Sequence, residues 1–467
     1  MKNLSRKILA LALAAVMMAG ATYAVSASEG LLSAGPEIMD MYSPWAEWDV
    51  IMASNIYGLG NEGTYSNYRG NFSELKFIPV FDSLAAQFGA GGSPAINNKN
   101  LVTRGEVVSS LYIIIVDALG LDGALPAIDY FVKNGLILGR AAGDYQLDNA
   151  CTTEEMIIFS VRVYEHISYA LGLDSACLFW KITGGGLPNT VYLLGTVHMG
   201  ERSIYPLSKS IMQAFNQAAY LAVEANIYTM SAEDIAYIGA MQMLTDGSTI
   251  KDHISAGTYA IYQAACEFYG IPAEMYDYIK PWAAMMLFNQ LLSAGTGEDA
   301  ASALLGMDVF LLMKAVSAGK DIIEVESIRY QLELFDSFSP ALQEMLLLSV
   351  IAPPADAGGN ELSMEEFAEL MSEYLAYLIY AIKTGDEDIL TEMLMASRDY
   401  SDPLLYEYNT KLWDIRDAGM ADTVEGYLND ATLDGDVFVA VGAGHTIGGT
   451  GIVHVLTERG YTAERLR

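Results

Sequence analysis

Histidine, cysteine and basic residues are scarce in this chain of 467 residues. It has 5 histidines, 3 cysteines and 25 lysines and arginines against 58 aspartates and glutamates, so its formal net charge is −33. A surface this acidic repels phosphate backbones and anionic lipid headgroups, so we expect neither nucleic acid nor a membrane surface as a partner. The same acidity attracts cations without selectivity, and therefore does not by itself indicate a metal site.

The cysteine pattern and several missing motifs exclude further classes of protein. Cys151, Cys177 and Cys266 are widely spaced, so at most one disulfide can form and no disulfide framework is indicated. No Cys-x-x-Cys or paired Cys/His zinc spacing occurs. The sequence also lacks a Gly-x-Ser-x-Gly nucleophile elbow, a Walker A loop and a His-Glu-x-x-His helix, which argues against the hydrolases and nucleotide enzymes that these motifs mark.

Long apolar runs are missing except at the start of the chain. Residues 1–7 carry three basic side chains, residues 8–20 are apolar, and Val25-Ser26-Ala27 offers small residues for cleavage. This pattern predicts a secretory signal peptide over residues 1–27. No later stretch reaches eighteen apolar residues without a charge, so we expect a secreted mature chain without a transmembrane segment.

Residues 28–171 have the pattern of a small helical domain with an internal repeat. One helix opens at Ser43-Pro44-Trp45 and another is expected over residues 127–139, and both end at glycine, as helix C-caps do. After a loop, each is followed by a threonine and acid cluster that opens a further apolar helix. These clusters, Thr103-Arg104-Gly105-Glu106 and Thr152-Thr153-Glu154-Glu155, have the spacing of a capping box.

This arrangement resembles the S-layer homology repeat, which docks on cell-wall polysaccharide in its own family. The resemblance implies a wall-associated protein whose polysaccharide contacts come from Trp45, Thr103, Arg104 and Glu106. In the second copy Thr153 stands in place of the arginine, and two copies are present where three are common. A helical domain with ordinary capping is therefore the alternative interpretation.

From Cys177 onward strands alternate with helices, which predicts an α/β domain over residues 178–467. Two strands, 178–182 and 190–194, are expected to form a hairpin. In residues 228–418 the apolar residues mostly recur with the period of a helix, which indicates a helical cap or lid. Further strands are expected at residues 220–223, 321–325, 437–441 and 461–464. The predicted fold class is α/β: a C-terminal mixed sheet with a helical cap and a site at the strand ends, preceded by a smaller helical domain.

Side chains able to bind metal follow the ends of these strands. Gly195-x-x-His198 and Gly442-x-x-His445 place two of the five histidines in the same local context, and Glu224 follows the strand at 220–223. Ligand sites of α/β sheets form at the carboxyl ends of strands, and we expect the glycines to allow a sharp turn there. Two imidazoles and a carboxylate are a common ligand set for a catalytic divalent ion.

A metal-activated water also needs a group that moves protons. Glu326 and Asp308 are the main candidates, and Glu201 is a further one. Glu326 and Asp308 also have purely structural interpretations. Glu326 could cap the next helix or pair with Arg329, and Asp308 could interact favourably with the dipole of the helix that begins there.

Two other features have weaker functional interpretations. The loop at residues 442–448 imitates a nucleotide-binding turn, but no second βαβ unit with a ribose-binding acid can follow it. His454 is expected to pack within a helix, and His166 and His253 are expected to be structural or solvated.

Six motifs occur in the order seen in the TraB/GumN family, which includes the Tiki Wnt-directed proteases, and the chain is similar to this family from about residue 178 onward. They are Tyr192-Leu193-Leu194-Gly195-Thr196-Val197-His198, Leu221-Ala222-Val223-Glu224, Lys280-Pro281-Trp282, Gly306-Met307-Asp308, Val325-Glu326-Ser327 and Gly442-Ala443-Gly444-His445 through Gly460-Tyr461.

The resemblance implies a metal-dependent hydrolase, because Tiki proteins are described as metalloproteases that use both Gly-x-x-His elements and an acid. Manganese or cobalt is favoured by the resemblance, and zinc stays open. Carried over by position, the metal ligands are His198, His445 and Glu224, with Glu224 and Glu326 as catalytic carboxylates. Where many relatives have Glu-Arg-Asn, this chain has Glu407-Tyr408-Asn409, so a guanidinium that could orient a carboxylate is expected to be absent.

The sequence therefore predicts an exported metal-dependent hydrolase with a peptide or protein substrate. Two alternatives stay open. One is a non-catalytic surface protein that binds a peptide or glycan in the same cleft, and the other is a metal-dependent esterase that acts on small molecules.

Overall fold

The computed structural model describes residues 42–61, 63–139, 143–226, 230–293, 305–353, 362–395 and 398–467. Up to Asp174 these residues form one compact unit, and from Ser175 to Arg467 they form a second. The expected signal peptide, residues 1–27, lies outside the described residues. No single helix of the described ranges has the length and apolar character needed to cross a membrane, although one pair joined at a 104° bend, Ile328–Asp336 and Pro340–Ile351, meets that criterion together.

The unit that ends at Asp174 is helical. Both predicted capping boxes are present: Thr103 accepts from the N–H of Glu106, whose carboxylate accepts from Thr103 in return, and Thr152 and Glu155 repeat this pattern. Its helices are α1 Glu47–Ile51, α2 Glu74–Gln87, α3 Arg104–Ala118, α4 Ala127–Lys133 and α5 Thr153–Leu171, with a 3₁₀ turn at Pro44–Ala46 and a π turn at Met52–Ile56 beside α1.

The helix expected over residues 127–139 is shorter than the sequence indicated. It ends at Lys133, and Gly135 then takes a φ of 69°, which is the left-handed conformation of a helix C-cap. The glycine that stops this helix is therefore Gly135 and not Gly139.

A buried ion pair joins the two capping boxes of this unit. The guanidinium of Arg104 pairs with Glu155, donates from Nε to the carbonyl of Tyr145 at 3.0 Å, and lies 5.1 Å from the centre of the Phe159 ring. The Arg104 side chain is only 4% exposed. Because a buried carboxylate without a partner is strongly unfavourable, Arg104 stabilises the packing of α3 on α5.

The Arg104→Ala substitution should lower the free energy of unfolding of this unit by about 3 kcal/mol or more, because it removes the counter-charge of the buried Glu155 carboxylate. Hydrogen exchange of the α3 and α5 amides in the full chain measures the loss. The matched control is Lys99→Ala, which breaks a 3.2 Å pair with Glu74 whose lysine is 77% exposed and should cost less than about 1 kcal/mol. Equal losses in the two variants would contradict the structural role of Arg104.

The second unit is built on a mixed six-stranded sheet, as the sequence predicted. The strand order is β4-β3-β5-β2-β1-β6, with β1 antiparallel to β2 and to β6 and the other neighbours parallel. The strands are β1 Leu178–Thr183, β2 Val191–Thr196, β3 Tyr220–Val223, β4 Asp321–Glu324, β5 Val437–Gly442 and β6 Thr462–Arg465.

Register in the parallel part aligns one row of apolar residues across four strands. Leu193 pairs with Val439, Val439 with Ala222, and Ala222 with Ile323. The carboxyl ends of β2, β3, β4 and β5 therefore lie along one edge of the sheet, and the residues that follow each strand emerge there.

Helices contact this sheet, and a large apolar cluster forms among the helices that lie between β3 and β5 in the chain. Trp282, Phe288, Tyr408 and Trp413 are among its buried members. The helices are α6 Lys209–Gln217, α7 Ala232–Gln242, α8 Ala256–Phe268, α9 Ala273–Tyr276, α10 Pro281–Ser293, α11 Met307–Ala318, α12 Ile328–Asp336, α13 Pro340–Ile351, α14 Met364–Thr384, α15 Glu387–Met395, α16 Pro403–Asn409, α17 Arg416–Asn429 and α18 Ile452–Glu458.

The predicted helix starts in this region are confirmed at three places: Ser231 caps α7, Ser363 caps α14, and Pro281 is the first residue of α10. The helix expected from residue 447 begins only at Ile452, because the chain first turns through Gly448 with a φ of 77°. A π turn at Thr410–Ile415 joins α16 to α17.

Candidate functional site

The carboxylate of Glu224 lies at the centre of the predicted site. It directly follows β3, is 7% exposed, and interacts electrostatically with both His198 and His445. Its Oε1 accepts the backbone N–H of Gly442 at 2.6 Å. The structure therefore brings together three side chains that are up to 247 positions apart in the sequence (445 − 198 = 247).

His198 is held by an aspartate. Its Nδ1 lies 2.8 Å from Oδ2 of Asp308, and Oδ1 of the same carboxylate accepts from the hydroxyl of Thr196 at 2.7 Å. Burial alone would lower the pKa of His198, but the charge and hydrogen bond of Asp308 raise it to about 9. Because Nδ1 is taken by Asp308, the nitrogen left for a ligand is Nε2.

His445 is held in the same manner by Asp417, which the sequence analysis missed. Nδ1 of His445 lies 2.6 Å from Oδ1 of Asp417, and Oδ2 accepts from the hydroxyl of Thr450 at 2.9 Å. The aspartate is fully buried, and burial raises the pKa of Asp417 although His445 and Arg398 oppose this. The Nε2 atom of His445 is again the nitrogen without an aspartate partner.

One signal in the sequence could have revealed Asp417. Met420, Ala421 and Val424 follow it at intervals of three, four and seven residues, and all are buried in α17. This spacing is the apolar stripe of a helix, so Asp417 is an acid placed on a buried face. Such a side chain requires a partner, and the sequence does not show which one.

Arg416 supplies the guanidinium that was expected to be absent because of Tyr408. Its Nη2 lies 2.7 Å from Oε2 of Glu326 and 3.3 Å from Oε2 of Glu224, and its Nε donates to Glu326 Oε1 at 3.1 Å. The expectation from Tyr408 is therefore wrong, because the cation comes from a residue eight positions later. The expected alternative pair of Glu326 with Arg329 is also wrong, since Arg329 binds Asp234 at 2.8 Å.

The charges around Glu224 keep it ionised. Burial alone would raise its pKa, but the nearby charges of His445, Arg416 and His198 and the N–H of Gly442 lower the pKa of Glu224 to about 2. Glu326 lies beside it just beyond the ends of β3 and β4, because its N–H donates to the carbonyl of Glu224 at 2.9 Å. Two neighbouring carboxylates thus share one guanidinium.

The glycines of the two Gly-x-x-His elements have a different role from the expected one. Neither Gly195 nor Gly442 has a positive φ, so the backbone conformation at these positions does not require glycine. A Cβ on Gly442 would lie 3.2 Å from Oε1 of Glu224, and one on Gly195 would lie 3.1 Å from Cα of Ala443. Glycine is needed here because neighbouring groups approach closely.

Whether these residues suit a divalent ion depends on which donor atoms their side chains present. Within the described ranges, no three histidine, cysteine, aspartate or glutamate side chains are grouped so that they could hold a metal as they stand. Each imidazole nevertheless has its Nδ1 held by a carboxylate, which is the arrangement that fixes histidine ligands in metal sites. Oε1 of Glu224 has one hydrogen bond from Gly442 and keeps a lone pair. The donor types are therefore those that suit a divalent ion, although their spacing in the described residues does not form a metal site.

Other predicted residues lie apart from this arrangement. Glu201 accepts a hydrogen bond from the hydroxyl of Ser203. His454, expected to pack, is exposed on α18. His166 interacts with the hydroxyl of Tyr130 at 2.9 Å, and His253 with that of Ser248 at 2.8 Å.

The four predicted wall-contacting residues of the other unit divide between two cavities. Thr103 and Glu106 line a cavity of about 620 Å³. Trp45 is 61% exposed and shares a cavity of about 390 Å³ with Arg104. The remaining residues that line this smaller cavity are Leu138, Glu155, Ile158, Phe159 and Arg162.

Comparison with known proteins places the second unit in a family. Residues 178–465 match the TraB/PrgY/gumN family, which is more than half of the chain. An uncharacterized protein of Treponema pallidum (strain Nichols) is 23% identical over 292 residues, which cover 60% of this chain and 80% of that protein. No solved structure matches the chain. The six motifs and the matched residues together show that the chain belongs to the TraB/PrgY/gumN family.

Proposed function

We propose that the second unit is a divalent-metal-dependent hydrolase that cleaves peptide bonds, with His198, His445 and Glu224 as ligands. One observation carries this proposal: two imidazoles, each held at Nδ1 by an aspartate, share Glu224 as a charged neighbour. Imidazole and carboxylate donors suit manganese, cobalt and zinc, and the family resemblance favours the first two.

The side chains of this site have separate roles in the proposed reaction. When bound, a divalent ion supplies an activated water and polarises a carbonyl group. Asp308 and Asp417 hold the imidazoles with Nε2 available as ligand atoms. Glu326 accepts three hydrogen bonds from Arg416 and one from Gln331, so we infer that its main role is to hold Arg416 against Glu224. In the proposed reaction, Glu326 carries a proton only when its ion pair with Arg416 opens.

The proposed substrate is a peptide or protein outside the cell. The proposed export rests on the signal-peptide pattern of residues 1–27. The strongly acidic chain would then meet substrates in the medium or at the cell surface, and basic segments would be attracted to it.

His198→Ala and His445→Ala should each remove the ion and the hydrolysis of a peptide library. Elemental analysis should give about one divalent ion per wild-type chain and almost none in either variant. Activity should fall by more than the ~10–100-fold that changes behind the ligands cost, because a ligand itself is lost. His454→Ala is the matched control, since this histidine is exposed, and it should keep both ion and activity.

The same assays separate the alternative functions. If ligand binding survives both histidine changes and no turnover occurs with manganese, cobalt or zinc, the protein is a binding module. Turnover of activated esters without turnover of peptides would indicate an esterase.

Gly442→Ala should weaken ion binding while the fold is kept. The new Cβ would lie 3.2 Å from Oε1 of Glu224 and would push this carboxylate from its position. Displacing a side chain from its rotamer costs about 1 kcal/mol, so the ion affinity measured by calorimetry should fall about fivefold. Gly449→Ala is the control, because nothing lies within 4 Å of a Cβ at that position. An unchanged affinity in Gly442→Ala would contradict the assignment of Glu224 as a ligand.

As a second function, we propose that the N-terminal unit binds a cell-wall polysaccharide, in line with its resemblance to S-layer homology repeats. The supporting observation is the cavity of about 390 Å³, which exposed Trp45 lines together with the apolar residues Leu138 and Ile158. The face of an aromatic ring can stack on a sugar ring.

Trp45→Ala should reduce retention of the full chain on purified cell walls by at least about tenfold, which corresponds to ~1.4 kcal/mol. Sedimentation with the walls measures retention. Leu75→Ala is the control, because this leucine of the same unit is 81% exposed and does not line the cavity. If Trp45→Ala and Leu75→Ala are retained equally, the cavity is not a wall-binding site.

A further inference from the structure

Asp417 occupies a position in α17 where an acid is costly. It is fully buried, and it lies on the same face as the buried apolar residues Met420, Ala421 and Val424. Removing a carboxylate from water costs several kcal/mol unless hydrogen bonds and a counter-charge compensate. A buried acid on an apolar helix face therefore has partners that explain its presence.

The two oxygens of Asp417 have different partners. Oδ1 faces Nδ1 of His445 at 2.6 Å, while Oδ2 accepts from the hydroxyl of Thr450 at 2.9 Å. An ionised carboxylate only accepts hydrogen bonds, so Nδ1 of His445 is the donor. The carboxylate thereby sets which nitrogen of the ring carries the proton.

Arg398 contacts both Thr450 and the Oδ2 side of the Asp417 carboxylate. Its Nη1 donates to Oγ1 of Thr450 at 2.7 Å, and its Nη2 lies 3.8 Å from Oδ2 of Asp417. Thr450 accepts from Arg398 and donates to Asp417, so its hydroxyl has one orientation. The guanidinium also lies 5.1 Å from the ring centre of Trp413, and that ring lies 5.0 Å from the ring of His445.

We propose that Asp417 is the positioning residue of His445, and that Thr450 and Arg398 hold Asp417 in place. In this arrangement His445 carries its proton on Nδ1 and presents Nε2 to the divalent ion of the proposed hydrolase. The binding of an ion by Nε2 rests on the proposed function, whereas the location of the proton on Nδ1 does not.

The corresponding pair at the other histidine differs in its surroundings. Asp308 is 20% exposed and has the hydroxyl of Thr196 as its second partner, whereas Asp417 is 0% exposed and has an arginine within 4 Å. Water can replace part of a lost contact at Asp308, but not at Asp417. Loss of Asp417 therefore affects its imidazole more than loss of Asp308 affects His198.

The test uses the full chain with ¹⁵N-labelled histidine and Asp417→Ala, which removes both carboxylate oxygens. Nitrogen shifts from long-range ¹H–¹⁵N spectra of the metal-free protein report the tautomer, and only five histidines need assignment. The wild-type protein should show His445 as the single Nδ1–H tautomer. In Asp417→Ala a second tautomer should appear. Asp417→Asn should favour the Nε2–H tautomer, because its oxygen accepts from Thr450 and its amide nitrogen then donates to Nδ1 of His445.

Calorimetric titration with Mn²⁺ and Co²⁺ gives the second measurement. Asp417→Ala should weaken binding of the ion by about 10–100-fold. Thr450→Val, which removes one hydroxyl with little change of shape, should weaken binding about fivefold. Asp422→Ala is the matched control: this aspartate lies on the same helix but is 69% exposed, so both measurements should be unchanged. Circular dichroism checks that each variant is folded.

The outcomes separate the two proposals. A wild-type protein that takes up no ion overturns the proposed hydrolase, while the tautomer spectra still decide the role of Asp417. An unchanged tautomer of His445 in folded Asp417→Ala overturns the positioning role, even if the ion binds. If Asp417→Ala does not fold, Asp417→Asn decides, because an unchanged Nδ1–H tautomer of His445 in that variant also overturns the positioning role.

Discussion

The ion pair of Arg416 with Glu224 and Glu326 is the interaction on which the rest of the site depends. The two acids are neighbours just beyond the ends of β3 and β4, where the N–H of Glu326 donates to the carbonyl of Glu224 at 2.9 Å. Two buried carboxylates this close repel each other unless a cation lies between them. Arg416 supplies that charge and fixes the start of α17 against the sheet. The next residue, Asp417, then reaches His445, so one pair of adjacent residues arranges both the acid and an imidazole.

The sequence predicted the sheet and the convergence of the strand ends because local pattern and a general topological rule were enough. Short apolar runs marked β2, β3 and β5, and parallel strands place the residues that follow them along one edge. Glu224, His198 and His445 follow such strands, so their approach needed no knowledge of side-chain packing.

The supporting side chains could not be predicted in the same way, because their partners depend on how α17 lies on the sheet. The π turn at Thr410–Ile415 fits an extra residue into a helical turn and so rotates α17 relative to α16. Tyr408 and Arg416 consequently have roles that a linear motif does not reveal. The glycines were misjudged for a related reason: their close neighbours, Ala443 and Glu224, come from other segments of the fold.

The same ion pair limits what Glu224 can offer a ligand. Arg416 and Gln331 both bind Oε2, so only Oε1 has room for a further partner beside the N–H of Gly442. One carboxylate oxygen and two imidazole nitrogens would supply three donors to the proposed ion, as the protein does in catalytic zinc sites that also bind water. Structural zinc sites are instead closed by four protein ligands. A guanidinium beside the carboxylate also repels a cation, because both carry positive charge. Both features suit an ion that exchanges and takes part in chemistry better than one that holds the fold together.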